Sequence, residues 1–298
     1  MRKIIECVPN FSEGRRSSVI NKIANSAKKV AGVKVLDVEW DKSHNRSLVT
    51  IVGVPADVLK AAFEMVKTAT KLIDMRVHKG EHPRIGATDV VPFIPISGVT
   101  LKECVLLSNK LAKRVAEELK IPVYMYEASA KRKDRVNLAD VRKGEYEQLR
   151  TEIETNPIRK PDYGQPRMHP TAGAVVIGAR RYLIAYNVNL DTKDVEIAKK
   201  IAGKVREKGG GLPCVKALGF KVGGHAQVSM NLIDFEKTNF DEAYRAIEAE
   251  AKKLKVKIRN SEIYGMIPQE ALTRAAKNSF KLDGFKSDQI LEKRLCGN

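Results

Sequence analysis

Five histidines occur in the chain, at positions 44, 78, 82, 169 and 225, and two of them stand in the string His78-Lys79-Gly80-Glu81-His82-Pro83-Arg84. Read as His-x-x-Glu-His, this is the inverted zinc-protease signature, which needs a helix so that both imidazoles meet one metal while the glutamate acts as base. Gly80 weakens a helix interior and Pro83 drives His82 out of the α region, so a loop is expected here and no metal. In a loop the same residues offer other chemistry. Imidazoles take and return protons near neutral pH, as transfer of an acyl-like or imidoyl group between two nitrogens requires. Lys79 and Arg84 can hold carboxylates. The competing reading is a polar loop whose side chains serve turns and surface ion pairs.

Other strings carry weaker signals. Pro9-Asn10-Phe11-Ser12-Glu13-Gly14 is read either as a helix N-cap through Ser12 or Glu13 or as an anion site at the same amides. Gly209-Gly210-Gly211 reads as the end of a helix. Neither nucleotide-binding glycine pattern occurs at a strand-to-helix junction, so nucleotide cofactors have no support. The cysteines, Cys7, Cys104, Cys214 and Cys296, are widely spaced and read as reduced, mostly buried thiols, which speaks against a disulfide framework or a zinc ribbon.

The elements that must position these residues follow from periodicity. Strands are expected at 3–8, 33–38, 47–52 and 90–96, with helices at 17–30 and 55–73, the second opening on Pro55. This is the order βαββαβ, with the histidine loop between the second helix and the last strand. A helix at 100–120, a strand at 122–126 and a polar helix at 138–155 continue it. Residues 156–173 carry four prolines and no periodicity, so they form an irregular loop that contacts must hold. After a strand at 174–177 the βαββαβ order repeats, with strands at 182–190, 215–222, 227–235 and 256–263 and helices at 195–208 and 240–254. The expected fold is α/β (α+β), two ferredoxin-like subdomains, 1–180 and 181–298, with a groove between them.

Of 298 residues, 54 are Lys or Arg and 36 Asp or Glu, a net charge of +18, while 43% are apolar. That apolar share excludes a disordered chain. The basic excess is spread, with 32 basic against 21 acidic side chains in 1–180 and 22 against 15 in 181–298. A diffuse field suits anionic small molecules, while the 6% aromatic content and the lack of an RNA-stacking pattern speak against nucleic acid. Glu6 and Pro9 interrupt any apolar leader, and Arg180 and Arg181 cut the most apolar stretch, 173–186, so a cytoplasmic protein without membrane attachment is expected.

Several strings together resemble the glutamate formiminotransferase family: Glu6 to Gly14, Asn45-Arg46, Leu72 to Met75, His78 to Val90, Pro92-Phe93-Ile94-Pro95, Pro161 to Gly164, Gly178-Ala179-Arg180 and Ala226 to Ser229. The resemblance runs over nearly the whole chain, and the histidine string is its most specific part. It implies transfer of the formimino group of N-formimino-L-glutamate to tetrahydrofolate, a late step of histidine degradation, by a homodimer of ferredoxin-like subdomains. It places the catalytic histidine on His82. It places the folate-contacting loop on Gly164, Gln165, Pro166, Arg167, Met168, His169, Pro170, Thr171, Ala172 and Gly173. Arg46, Lys79 and Arg84 become the candidates for the substrate carboxylates. A 5-formyltetrahydrofolate-processing enzyme and a non-catalytic folate- or RNA-binding module are the alternatives.

Overall fold

The computed structural model describes residues 2–282, 284–286 and 289–290, and the chain falls into two compact units that adjoin in sequence at Arg180 and Arg181. The first opens with β1 (Ile4–Cys7) and the short β2 (Asn10–Phe11), then α1 (Ser17–Lys28), β3 (Val33–Asp41), β4 (Arg46–Gly53), α2 (Pro55–Leu72) and β5 (Thr88–Ser97). Pro55 occupies the first turn of α2, where its missing N–H costs nothing. α3 (Leu101–Glu118) starts on a capping box in which Thr100 and Glu103 satisfy each other's backbone amides.

β1 and β2 both lie between β4 and β5, antiparallel to each, and β3 flanks β4. This is the strand order of a ferredoxin-like sheet. Beyond β5 the sheet continues in parallel through β7 (Val175–Ala179) to β6 (Val123–Glu127). Alternation sorts the side chains: Ile5, Cys7, Phe11, Val49, Ile51, Val91 and Phe93 turn toward α1, α2 and α3 and form the main core. A smaller core on the opposite face packs Val90, Val176, Tyr124 and Tyr126 against Val141, Leu149 and Ile153.

The polar helix expected over 138–155 is instead two pieces, α4 (Leu138–Val141) and α5 (Glu145–Glu152). Gly144 and Glu145 have φ of 78° and 56°, a left-handed pair that reverses the chain between them. Gly144 has no side chain to oppose this.

The second unit repeats the order with β8 (Ile184–Leu190), α6 (Val195–Val205), β9 (Val215–Val222), β10 (His225–Leu232), α7 (Phe240–Lys253) and β11 (Ile258–Tyr264). Its sheet runs β11-β8-β10-β9, antiparallel throughout, again the ferredoxin-like order. A further helix, α8 (Gln269–Phe280), has no counterpart in the sequence reading; it buries Ala271 and Ala275, and Asn239 Nδ2 donates to the Ala271 carbonyl at 2.8 Å. Cys7 and Cys104 are buried free thiols and Cys214 is partly exposed; Cys296 lies outside the described residues.

Candidate active site

Residues 74–87 form no helix, so His78 and His82 are not presented as a zinc-protease pair. Among the described residues no cluster of three metal-ligating side chains occurs. Asn45 holds the loop in place: its Oδ1 accepts the Gly14 N–H at 2.9 Å, its Nδ2 donates to the Lys79 carbonyl at 2.9 Å, and its own carbonyl faces His78 Nε2 at 3.1 Å. A carbonyl can only accept, so the His78 hydrogen sits on Nε2 and Nδ1 is free to accept from Arg84 Nε at 3.3 Å. Burial, helped by the Arg84 charge, lowers the His78 pKa.

The carboxylates held by Arg84 are the chain's own. Its side chain is 7% exposed and pairs with Glu145 at 2.7 Å and Glu147 at 2.6 Å, both on α5. With Nε turned to His78, the guanidinium is committed on both edges. Arg84 therefore fastens the histidine loop to α5, and it does not stand open to a substrate. The Tyr146 N–H adds a bond to the Arg84 carbonyl at 2.9 Å.

His82 lies half-buried between the exposed Glu81 and Pro83, with its ring centroid 6.4 Å from that of His44. Burial, then the charges of Arg46 and Arg142, then His44, pull its pKa from 6.5 down to about 3, against a backbone hydrogen bond that opposes them. The imidazole is thus unprotonated at neutral pH. Arg46, at the start of β4, donates from two nitrogens to the Asn10 side-chain oxygen, one bond measuring 3.0 Å. Burial and the neighbouring Arg142 bring its pKa down to about 10. Arg142 follows α4 and pairs with Asp89, which also accepts the Ile85 N–H at 3.0 Å; the Arg142 Nε is buried and bonded to nothing among the described residues. Lys79 carries an exposed side chain.

The 164–173 loop is bracketed by left-handed glycines and tied to the histidine loop. Gly86 bridges Gly173, the Ala87 N–H donates to the Ala172 carbonyl at 2.8 Å, Ala174 N–H to Ile85 at 3.0 Å and Met75 N–H to Thr171 at 2.7 Å. Ser12 joins them from the first loop, its hydroxyl donating to the Gly86 carbonyl at 2.7 Å. Within the loop, His169 Nδ1 accepts the amides of Thr171 and Ala172, so this histidine caps a turn, and burial lowers its pKa. Met168 and Ala172 pack into the core, while Gln165, Arg167 and Pro170 are exposed. Far from His82 in sequence, Glu6 is buried on β1 and its carboxyl is pushed up to about 7 by burial, against the pull of Arg180.

The sequence reading missed Arg142, Asp89 and Asn10 as site residues. Arg142 sat inside an expected helix, and the Lys143-Gly144 step was the signal that the helix breaks there. Of the expected set, Arg46 acts on the charge of His82, Lys79 is exposed three residues before it, the 164–173 loop is bonded through its backbone to Met75 and residues 85–87 of the histidine loop, and Arg84 is taken up by Glu145 and Glu147.

Comparison with known proteins bears on the same segments. Residues 4–180 match the formiminotransferase domain, N-terminal subdomain, and residues 185–290 match the formiminotransferase domain. The chain is 45% identical over 100% of both chains to the glutamate formimidoyltransferase of Streptococcus pyogenes serotype M1. It is 47% identical to that of Thermoplasma acidophilum, over 98% of this chain and 97% of the relative. The formimidoyltransferase-cyclodeaminase of Rattus norvegicus is 43% identical over 93% of this chain, which spans 52% of that protein. The chain belongs to the formiminotransferase family.

Proposed function

We propose that this protein transfers the formimino group of N-formimino-L-glutamate to tetrahydrofolate, giving 5-formiminotetrahydrofolate and L-glutamate, with His82 moving the proton between the two nitrogens. The observation that carries the reading is a half-buried imidazole on a loop that Asn45 pins to the 10–14 segment, with Arg46 and Arg142 near enough to act on its charge. Full-length likeness to proteins named glutamate formimidoyltransferase supports it. The reading extends to a cytoplasmic homodimer acting in histidine degradation, and no described helix is long and apolar enough to cross a membrane.

Tetrahydrofolate supplies the nitrogen nucleophile that accepts the one-carbon group. The 164–173 loop suits such a molecule, because Gln165 presents an exposed amide and Arg167 an exposed guanidinium that meets Glu154 only at 4.0 Å, partners for a polar ring and a carboxylate-bearing tail. Neutral His82 is a base and takes the proton from the attacking nitrogen. Imidazolium is disfavoured where it sits, so the proton is readily given up to the departing glutamate nitrogen. Arg46 and Lys79 hold carboxylates of the donor, and Arg84 keeps the loop that carries His82 in place.

The test is an absorbance assay for formiminated or cyclised folate, with formiminoglutamate and 5-formyltetrahydrofolate offered separately. Turnover with the first is expected; turnover with the second alone would replace this reading by the formyl one. His82→Ala should still bind folate in equilibrium dialysis and lose turnover by about 100-fold or more. Full activity in that variant removes His82 from the mechanism.

A further inference from the structure

We propose that Arg46 and Arg142 together form a paired-guanidinium seat for a carboxylate of the formimino donor, with Asn10 and Asp89 as the residues that position them. The inference rests on the function proposed above and deepens it. Three observations lead to it. Arg46 spends two nitrogens on one neutral amide oxygen, and among the described residues no carboxylate lies within ion-pair distance of it. Arg142 meets Asp89 with one terminal nitrogen while its Nε is buried with no partner among the described residues. The two cations are held on adjoining strands, Arg46 by Asn10 of β2 and Arg142 by Asp89 of β5, which pair at Asn10–Val90 and Phe11–Thr88, and Arg142 accordingly lowers the Arg46 pKa, against Asp89 and Glu39.

An unpaired buried donor and two neighbouring cations are each unfavourable, and one ligand class relieves both. A carboxylate is acceptor-only, with room for several N–H donors, and its charge offsets the mutual repulsion. Arg84 cannot serve in the same way because Glu145 and Glu147 already fill it.

Occupation of the seat also changes His82. The groups that press on the imidazole are Arg46 from β4, Arg142 from the turn after α4 and His44 from the turn before β4. An anion between the two arginines cancels much of their field, so the imidazole becomes more basic when the donor is bound. The proton shuttle is then stronger in the loaded site than in the empty one.

The experiment uses the full chain with Arg142→Gln and Arg142→Lys, each checked for folding by circular dichroism. Steady-state kinetics and the His82 Cε1–H titration by NMR are measured with and without L-glutamate. Arg142→Gln should raise the KM for formiminoglutamate about tenfold or more, as loss of a charge-assisted pair would, and leave the KM for tetrahydrofolate within about twofold. L-glutamate should raise the His82 pKa in the unsubstituted protein, and this response should vanish in Arg142→Gln and partly return in Arg142→Lys. A KM change confined to tetrahydrofolate means that the seat takes the folate tail, and it overturns the proposal. So does a glutamate response of His82 that survives in Arg142→Gln. Absence of all turnover in the unsubstituted protein refutes the proposed function instead, and the NMR arm still decides whether the carboxylate seat exists.

Discussion

Arg84 is buried while its two partners are largely open to water, and that asymmetry sets how the cluster must respond to substitution. The arginine side chain is 7% exposed, against 40% for Glu145 and 63% for Glu147. Removing the cation by Arg84→Met leaves two carboxylates that water can reach, so the loss is that of charge-assisted hydrogen bonds, about 1.5–3 kcal/mol. Removing both anions by Glu145→Ala with Glu147→Ala leaves a buried guanidinium facing only His78 Nδ1. Breaking a buried pair in that direction costs about 3–5 kcal/mol. The triple variant should return to near the Arg84→Met value, because no charge is then stranded. The only tryptophan, Trp40, lies on β3 in the same unit, so urea unfolding followed by its fluorescence reads this unit directly. With m about 2.5 kcal/mol/M, the double glutamate variant should lose about 1.5 M in midpoint and Arg84→Met about half as much. If the double glutamate variant proves as stable as Arg84→Met, or if the triple variant adds the separate losses, the argument from burial fails.

Glu6 makes the first unit sensitive to pH. Its folded pKa of about 7 exceeds the model-peptide value of 4.5, so the folded state binds the extra proton and the Glu6 contribution to stability falls as pH rises from 4.5 to 7, opposite in sign to that of the histidines whose pKa burial lowers. Glu6→Gln should lack this contribution and keep that of the histidines, so the difference between the two proteins should shift by up to about 3 kcal/mol in favour of the variant over that window; a difference that does not change with pH removes the buried carboxyl as its cause. Gly86→Ala should destabilise by about 3 kcal/mol or more in the Trp40 urea assay, because its Cβ would lie 1.8 Å from the Ala174 carbonyl oxygen, a backbone atom with nowhere to go. The contrasting Gly203→Ala, inside α6 with nothing within 4 Å, should raise the melting temperature read by circular dichroism, a gain of about 0.5–1 kcal/mol. Equal effects at the two glycines would count against the close-approach argument.

The two ferredoxin-like layers were legible because their strands alternate and their helices keep one apolar stripe, signals that are local. The histidine string was legible for the same reason, since Gly80 and Pro83 deny it a helix within seven residues. Arg84 was misread because its partners stand 61 and 63 residues away and come to it only through the reversal at Gly144. The same reversal hid Arg142, whose closeness to Arg46 is a matter of tertiary packing. His82 stood out as a candidate proton carrier, but its low basicity depends on burial and on cations from two other elements. α8 escaped notice because its buried stripe is Ala271 and Ala275, too small to stand out as apolar periodicity.

The backbone bonds that join residues 85–87 to 172–174 also restrict how the chain length can vary. Loops ordinarily accept insertions and deletions because their backbone is solvated. Here each loop supplies the other's hydrogen-bond partners, so one extra residue near Gly86 would break the ladder at Ala172 and Ala174, and the reverse also holds. The two lengths are therefore a single quantity, and added residues can be absorbed only on the outer arc at 165–167, where the side chains of Gln165 and Arg167 stand in solvent.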